Sequence, residues 1–228
     1  MVDYREHIAR LDRAVIWTRE SPPGPVTVFP DGCMDLIWTE GTLLVAGPDS
    51  RPFHTVSGGS EYVGIRFAPG AAPRLLGLPA SELLDQRVPL ADVLPSRQAR
   101  ELAARIDDAP DREHALETLA MRLAADAGRA DPVPTAIADF IAAGATVAET
   151  AARVGISTRM LHRRSLSAFG YGPKMLARVL RFQRALAALR TGLPAAETAA
   201  VTGYADQAHL SRELRDLAGC SVRSLQTG

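Results

Sequence analysis

A five-residue word occurs twice in this chain of 228 residues. Ala148-Glu149-Thr150-Ala151-Ala152 recurs unchanged, 48 positions on, as Ala196-Glu197-Thr198-Ala199-Ala200. In the same register Gly155 matches Gly203, Arg164 matches Arg212 and Leu166 matches Leu214. Each copy follows one grammar. Small alanines let another helix approach closely. A glycine then makes the turn, because without a Cβ it takes positive φ freely. An apolar residue follows, Ile156 or Tyr204, and then a capping residue, Ser157 or Asp206. The next helix is expected to bury Leu161, Leu166 and Phe169 in one copy, and Leu210, Leu214 and Leu217 in the other, leaving a polar, basic face in solvent. This is helix-turn-helix organisation, whose second helix enters a DNA major groove. The alternative is a helical-hairpin repeat that binds nothing.

Charge separates those readings. The net charge is zero, yet residues 1–130 hold 14 arginines against 19 acids, while residues 131–228 hold 12 basic residues against 7 acids. Between Glu149 and Glu197 there is no acid, and nine basic residues occur: Arg153, Arg159, Arg163, Arg164, Lys174, Arg178, Arg181, Arg184 and Arg190. A long one-sign stretch rich in Arg suits a polyanion, because the guanidinium fork matches phosphate oxygens and guanine edges. The exposed face of the first copy should carry Arg159, His162 and Arg163. That of the second should carry Gln207, Ser211 and Arg212, with His209 at its edge. Arg can be bidentate to guanine and Gln to adenine. Ser157, Arg164, Lys174 and Arg178 complete the set expected at DNA, with Lys174, Arg178 and Arg181 meeting phosphate or solvent.

The other half of the chain is patterned differently. Ala14-Val15-Ile16-Trp17-Thr18, Val26-Thr27-Val28-Phe29, Met34-Asp35-Leu36-Ile37-Trp38, Thr42-Leu43-Leu44-Val45-Ala46 and Tyr62-Val63-Gly64-Ile65-Arg66-Phe67 are short β-branched or aromatic runs bounded by turn residues. Such spacing predicts a small sandwich or barrel. A short helix is expected after Pro79, capped by Ser81. Two more are expected, capped by Ser96 and Asp111, the first with Leu102 and Ile106 on one side and the second with Leu116, Leu119 and Leu123. Gly128 ends the last of these. Arg129-Ala130-Asp131-Pro132-Val133-Pro134 reads as a stop and linker. The class is therefore α+β: a β-rich domain with a helical C-terminal part at 1–128, a linker at 129–134, and an all-α domain of two helix-turn-helix units at 135–228.

The C-terminal part resembles the DNA-binding domain of the AraC family of bacterial transcription regulators. The resemblance is carried by Val147-Ala148-Glu149-Thr150-Ala151-Ala152-Arg153-Val154-Gly155-Ile156-Ser157, by Phe169-Gly170-Tyr171-Gly172-Pro173-Lys174, and by Gly203-Tyr204-Ala205-Asp206-Gln207-Ala208-His209-Leu210-Ser211-Arg212. It implies a long helix joining the two units, started by Pro173 and running over 175–189. About 15 residues at ~1.5 Å each span ~22 Å, which suits successive major grooves ~34 Å apart. Two residues depart from the family pattern: Val222 stands where Pro is usual, and Ser165 where a bulky aromatic is usual, which implies looser packing under the first recognition helix. The N-terminal part is similar to a sensor-type domain found ahead of such DNA-binding domains, on Pro30-Asp31-Gly32-Cys33-Met34-Asp35-Leu36-Ile37-Trp38, Ala46-Gly47-Pro48-Asp49 and Val63-Gly64-Ile65-Arg66-Phe67-Ala68-Pro69-Gly70-Ala71-Ala72. That match implies a cupin-like fold.

A regulator needs an input, and a concave β-rich domain would bind a small molecule. Trp38, Phe53, His54 and Arg66 are the candidates, with Trp17, Phe29 and Phe67 also available; the plainer reading puts the aromatics in the domain's own core. Arg66 sits on an apolar strand and needs Asp31, Asp35, Glu61 or an anionic effector beside it. Cys33 and His54 have no third metal ligand placed by spacing, two cysteines are too few for a structural zinc or a disulfide framework, and no cofactor is expected. No serine-triad, P-loop or dinucleotide motif stands out, so no catalysis is expected. The rivals are a DNA-repair protein that uses Cys33 as a methyl acceptor, which needs an activated thiolate, and a helical protein-interaction module. Residues 1–13 carry mixed charge without the apolar stretch of a signal peptide, and no run approaches ~20 apolar residues; a cytoplasmic protein without membrane contact is expected. Its partners would be double-stranded operator or promoter DNA, a small-molecule effector, RNA polymerase, and a second copy paired through the helices at 96–127.

Overall fold

The computed structural model describes residues 3–221; the departure at Val222 lies outside them. The first domain is built on a six-stranded antiparallel sheet of order β1-β2-β7-β4-β5-β8 and a separate two-stranded antiparallel sheet of β3 with β6. The strands are β1 Asp3–Ile8, β2 Val15–Glu20, β3 Gly24–Val28, β4 Met34–Thr39, β5 Thr42–Ala46, β6 Phe53–Ser57, β7 Glu61–Phe67 and β8 Arg87–Pro89. Period-two patterning decides which face is buried. Met34, Leu36 and Trp38 of β4 point the same way as Val63, Ile65 and Phe67 of β7, Ile16 of β2 and Leu43 and Val45 of β5. Glu40 and Gly41, both at positive φ, close the β4–β5 hairpin in two residues.

Three strands, β1, β6 and β8, are absent from the sequence reading. β1 is rich in charged residues and carries Ile8 86% exposed, β6 has a mostly exposed pattern, and β8 has three residues ending in Pro. β1 and β8 are the edges of the large sheet and β6 belongs to the two-stranded one, so all three lack the apolar alternation that marks a central strand.

The sheet's apolar face is covered by α2 Ser96–Asp107 and α3 Arg112–Asp126, through Ala99, Ala103, Ile106, Leu116, Leu119, Ala120 and Leu123. Their apolar stripes therefore serve the domain's own core. Asp111 caps α3, accepting from the His114 amide at 2.9 Å. Ser96 is the first residue of α2 rather than its cap, and its hydroxyl donates to the Ala91 carbonyl. Likewise Ser81 lies inside a single 3₁₀ turn, Ala80–Glu82, preceded by Pro79 without a side-chain cap. A short helix, α1 Ala72–Leu76, precedes that turn.

The linker is shorter than the sequence suggested. Val133 and Pro134 already form the first turn of α4, Val133–Ala142, because Asp131 accepts from the Val133 amide at 3.0 Å and proline is tolerated there. The rest is α5 Val147–Arg153, α6 Thr158–Phe169, α7 Pro173–Arg190, α8 Ala195–Thr202 and α9 Gln207–Ala218. α7 serves two cores. Leu176 and Val179 pack with Ile137, Ile141, Ala151, Leu161 and Phe169, while Phe182, Leu186 and Leu189 pack with Ala199, Tyr204, Leu210, Leu214 and Leu217.

The two domains share a seam. Phe29 meets Phe182 edge-on at 6.2 Å, and the Gln183 amide donates to the Pro30 carbonyl. Gly32 lies against Leu176, Leu180 and the Tyr171 hydroxyl. Arg13 forks onto Asp139 at 2.6 and 2.9 Å. At the end of α6, Phe169 covers Gly70, and Gly170 sits under Pro48 and Leu84.

Candidate nucleic-acid interface

The first unit is α5 and α6. Thr146 and Glu149 form a reciprocal capping box at the start of α5. Gly155, at φ +71°, turns the chain, the Ile156 amide donates to the Ala151 carbonyl at 3.0 Å, and Ser157 caps α6 by accepting from Met160. The second unit, α8 and α9, repeats the device. Gly203 has φ +81°, the Tyr204 amide donates to the Ala199 carbonyl at 2.9 Å, and Asp206 caps α9 by accepting from His209.

The turns differ by one residue. Ser157 follows Ile156 directly, whereas Ala205 intervenes between Tyr204 and Asp206. The repeat that runs at 48 positions through the first helix and the glycine therefore runs at 49 through the recognition helix. Leu161 corresponds to Leu210, Ser165 to Leu214, Ala168 to Leu217, Phe169 to Ala218 and left-handed Gly170 to left-handed Gly219. This corrects two expectations. Leu166 is not on the buried face but 37% exposed, and buried Ser165 takes that place. Arg164 is the counterpart of Glu213, and Arg163 is the counterpart of Arg212.

In this frame the outward stripes are comparable. On α6 they hold Thr158, Arg159, His162, Arg163 and Leu166; on α9, Gln207, Ala208, Ser211, Arg212 and Arg215. Arg159, Arg163, Lys174 and Arg212 are exposed, and no carboxylate pairs with them among the described residues. Arg163 reaches the Met160 sulfur, and the His162 ring stands against Gly172. His209 packs edge-on against Tyr204 at 5.2 Å, and Ser211 donates to the Gln207 carbonyl. Leu166 was expected to be buried because the 48-residue frame pairs it with buried Leu214; Thr158 and Arg215 join the same stripes.

Much of the basic stretch already has partners. Arg164 is bound to Asp131, whose carboxyl is held below the usual range by the Val133 amide and then by Arg164 itself. Arg178 is bound to Glu213 and, at 3.4 Å, to Asp216. Arg181 reaches Glu213 and lies over the Tyr204 ring, while Arg184 donates to the Ala142 carbonyl. Arg164 ties α6 to the segment before α4, and the other three tie α7 to its neighbours, so the acid-free stretch in sequence is only partly a cationic surface in space.

The β-domain candidates are not brought together. Trp38 is 4% exposed in the core, with the Arg112 guanidinium 4.3 Å above its ring. Arg66 lies on the opposite face of the sheet, between Asp31 at 3.2 Å and Asp35 at 3.5 Å; Glu61 pairs with Arg112 instead. Trp17 lies flat on Gly64 beside it and donates to Asp35 at 2.7 Å. Burial pushes the Asp35 carboxyl above the ordinary range, against the pull of Arg66. Phe53 and His54 do share a site: an open cleft of about 520 Å³ with Arg51 and Asp85 on one side and Arg215, Asp216 and Gly219 of α9 on the other. Arg87 stacks on Phe53 and pairs with Asp49. Burial pushes the Cys33 thiol up, the reverse of what an activated thiolate requires. Among the described residues no three His, Cys, Asp or Glu side chains are grouped to hold a metal ion, and no helix is long and apolar enough to cross a membrane.

Comparison with known proteins finds two separate stretches of the chain. Residues 9–89 match a domain of unknown function, DUF6597, and residues 150–227 match a helix-turn-helix domain. No curated protein matches. Among solved structures, the unsaturated-fatty-acid-bound ToxT of Vibrio cholerae is similar over 99% of this chain and 94% of its own, at 11% identity and a TM-score of 0.51. A probable AraC family transcriptional regulator from Rhodopseudomonas palustris is similar over 42% of this chain and 96% of its own, at 23% identity and a TM-score of 0.38. The ToxT likeness is one of fold: a β-rich domain ahead of a helical one. The helix-turn-helix match runs from within α5 through both turns and both recognition helices, so this part of the chain is a helix-turn-helix domain, with motif residues that resemble those of AraC family transcription regulators.

Proposed function

We propose that this protein grips one face of an operator with α6 and α9 in successive major grooves, and that its β-rich domain controls the grip in response to a small molecule. The carrying observation is the common frame of the two recognition helices, each capped alike, ended by a left-handed glycine and fixed to one end of α7. Eighteen residues of α7 span ~27 Å, a stiff spacer of the size that the ~34 Å groove repeat requires once the recognition helices project from it. Arg159, His162, Arg163, Gln207, Ser211 and Arg212 face the bases, and Lys174 a phosphate; Ser157, Arg164, Arg178 and His209 act mainly by holding the helices that carry them.

Control by the β-rich domain is supported by the seam. That domain touches α7 through Phe29, Pro30 and Gly32 and touches the end of α6 through Pro48, Gly70 and Leu84. A shift of the domain moves the spacing helix and the first recognition helix together. Phe53 and His54 belong to the cleft against α9, the better-placed part of the expected effector set. A carboxylate-bearing small molecule is the first class to try, since the ToxT relative holds an unsaturated fatty acid. RNA polymerase and a second copy are further partners of this reading. The β-sheet core occupies the apolar stripes of α2 and α3, so a dimer would use other faces.

The test is duplex binding by the whole protein across a salt series. Neutralising several phosphates gives an affinity that falls steeply as salt rises, linear in log–log form. A flat line, or no binding in dilute buffer, overturns the proposal.

A further inference from the structure

The stripe that faces outward on α6 is polar except at one place. Leu166 is 37% exposed and stands one turn beyond His162 and Arg163, on the same side as Arg159. Successive helical positions differ by 100°, so Leu166 lies within about 60° of each of these three and on the side away from buried Leu161 and Ser165. It is not part of the first unit's buried core cluster. Its counterpart in the second unit is Arg215, so the two helices put different chemistry at the same step of the same frame. The feature a base pair offers to an apolar side chain in the major groove is the thymine 5-methyl group.

We propose that Leu166 is a specificity-determining residue that takes a thymine methyl group in the half-site read by α6. The inference rests on the double-groove reading above. It makes the operator asymmetric: the first half-site holds a required thymine at the step where the second faces Arg215, a cation suited to guanine or phosphate.

The experiment uses the full-length protein and duplexes selected by it from a randomised pool. Each thymine of a selected duplex is replaced in turn by deoxyuridine, which removes only the methyl group, and affinity is read by fluorescence anisotropy. The half-site of α6 is identified as the one where Arg163→Ala changes base preference. The expected result is one thymine in that half-site whose replacement weakens wild-type binding about fourfold, the value of one apolar carbon removed from water. Leu166→Ala should bind the thymine duplex about fourfold less tightly and ignore the replacement. Leu166→Lys should change the selected base at that step and no other. Leu166 is exposed, so both variants keep the fold. An equal deoxyuridine penalty in wild type and Leu166→Ala, or no penalty at any thymine, overturns the assignment. Absence of all duplex binding overturns instead the reading beneath it.

Discussion

The two helix-turn-helix units share a plan and differ in what stands behind the recognition helix. Behind α9 the second unit has large apolar side chains, Leu210, Leu214 and Leu217, and a buried Glu213 that gathers Arg178 and Arg181 of α7. Behind α6 the first unit has Ser165 and Ala168 at the matching places, and the end of the helix rests on the β-rich domain. Both units touch the β-rich domain, through Phe29 in the second core, but it is the first whose recognition helix ends in a tight contact there. In the proposed reading, a signal in the β-rich domain reaches the first recognition helix through the tight contacts at the end of α6, and the second through the open cleft beside α9 and through α7.

This contrast can be broken by substitution. The largest effect is expected at Leu214, wholly buried in the second unit: Leu214→Ala should cost about 2–5 kcal/mol of stability in denaturant unfolding. A cost under about 1 kcal/mol would mean the second core is not tightly packed behind α9. Next comes a pair of helix-ending glycines. At Gly170 an added Cβ would lie 2.7 Å from Pro48 and 3.3 Å from the Ala80 carbonyl oxygen, whereas at Gly219 its nearest contact is an ordinary 3.7 Å. Both substitutions bear the ~1–2 kcal/mol of a left-handed alanine, and Gly170→Ala adds an overpacking cost of about 1–3 kcal/mol. Equal melting temperatures for the two variants would count against the seam. In DNA binding, Arg163→Ala and Arg212→Ala should each cost about 1–3 kcal/mol and relax preference at one base pair, in different half-sites. A uniform loss on every sequence would reassign that arginine to phosphate. The smallest effect is expected at Ser165, whose buried hydroxyl has no hydrogen-bond partner among the described residues. Ser165→Ala should leave stability unchanged or raise it slightly, because an unsatisfied buried group costs free energy. A loss above about 1 kcal/mol would show that the hydroxyl is used.

What could be read from the sequence follows from how local each signal is. Gly155, Gly203, Ser157 and Asp206 act through their own backbone geometry, so both turns and the start of α7 at Pro173 were readable. The central strands were readable because one buried face enforces alternation. The edge strand β1, with its exposed charges, obeys no such constraint. The face of α6 was misplaced at Leu166 because one inserted residue, Ala205, changes the repeat distance without disturbing the word that announces it. Charge misled in a different way. Arg164 and Arg178 sit in an acid-free run, but Asp131 and Glu213 reach them from 33 and 35 residues away. The four effector candidates do not share one site for a topological reason: Trp38 and Arg66 come from neighbouring strands but opposite faces.

The central claim is that two reading heads in one frame engage one face of the duplex together. Hydroxyl-radical footprinting of the full-length protein on a selected duplex tests it most directly. The account predicts two protected patches about one helical turn apart on the same face, with Arg163→Ala weakening one patch and Arg212→Ala the other. A single patch, or two that fade together whichever arginine is removed, would contradict it.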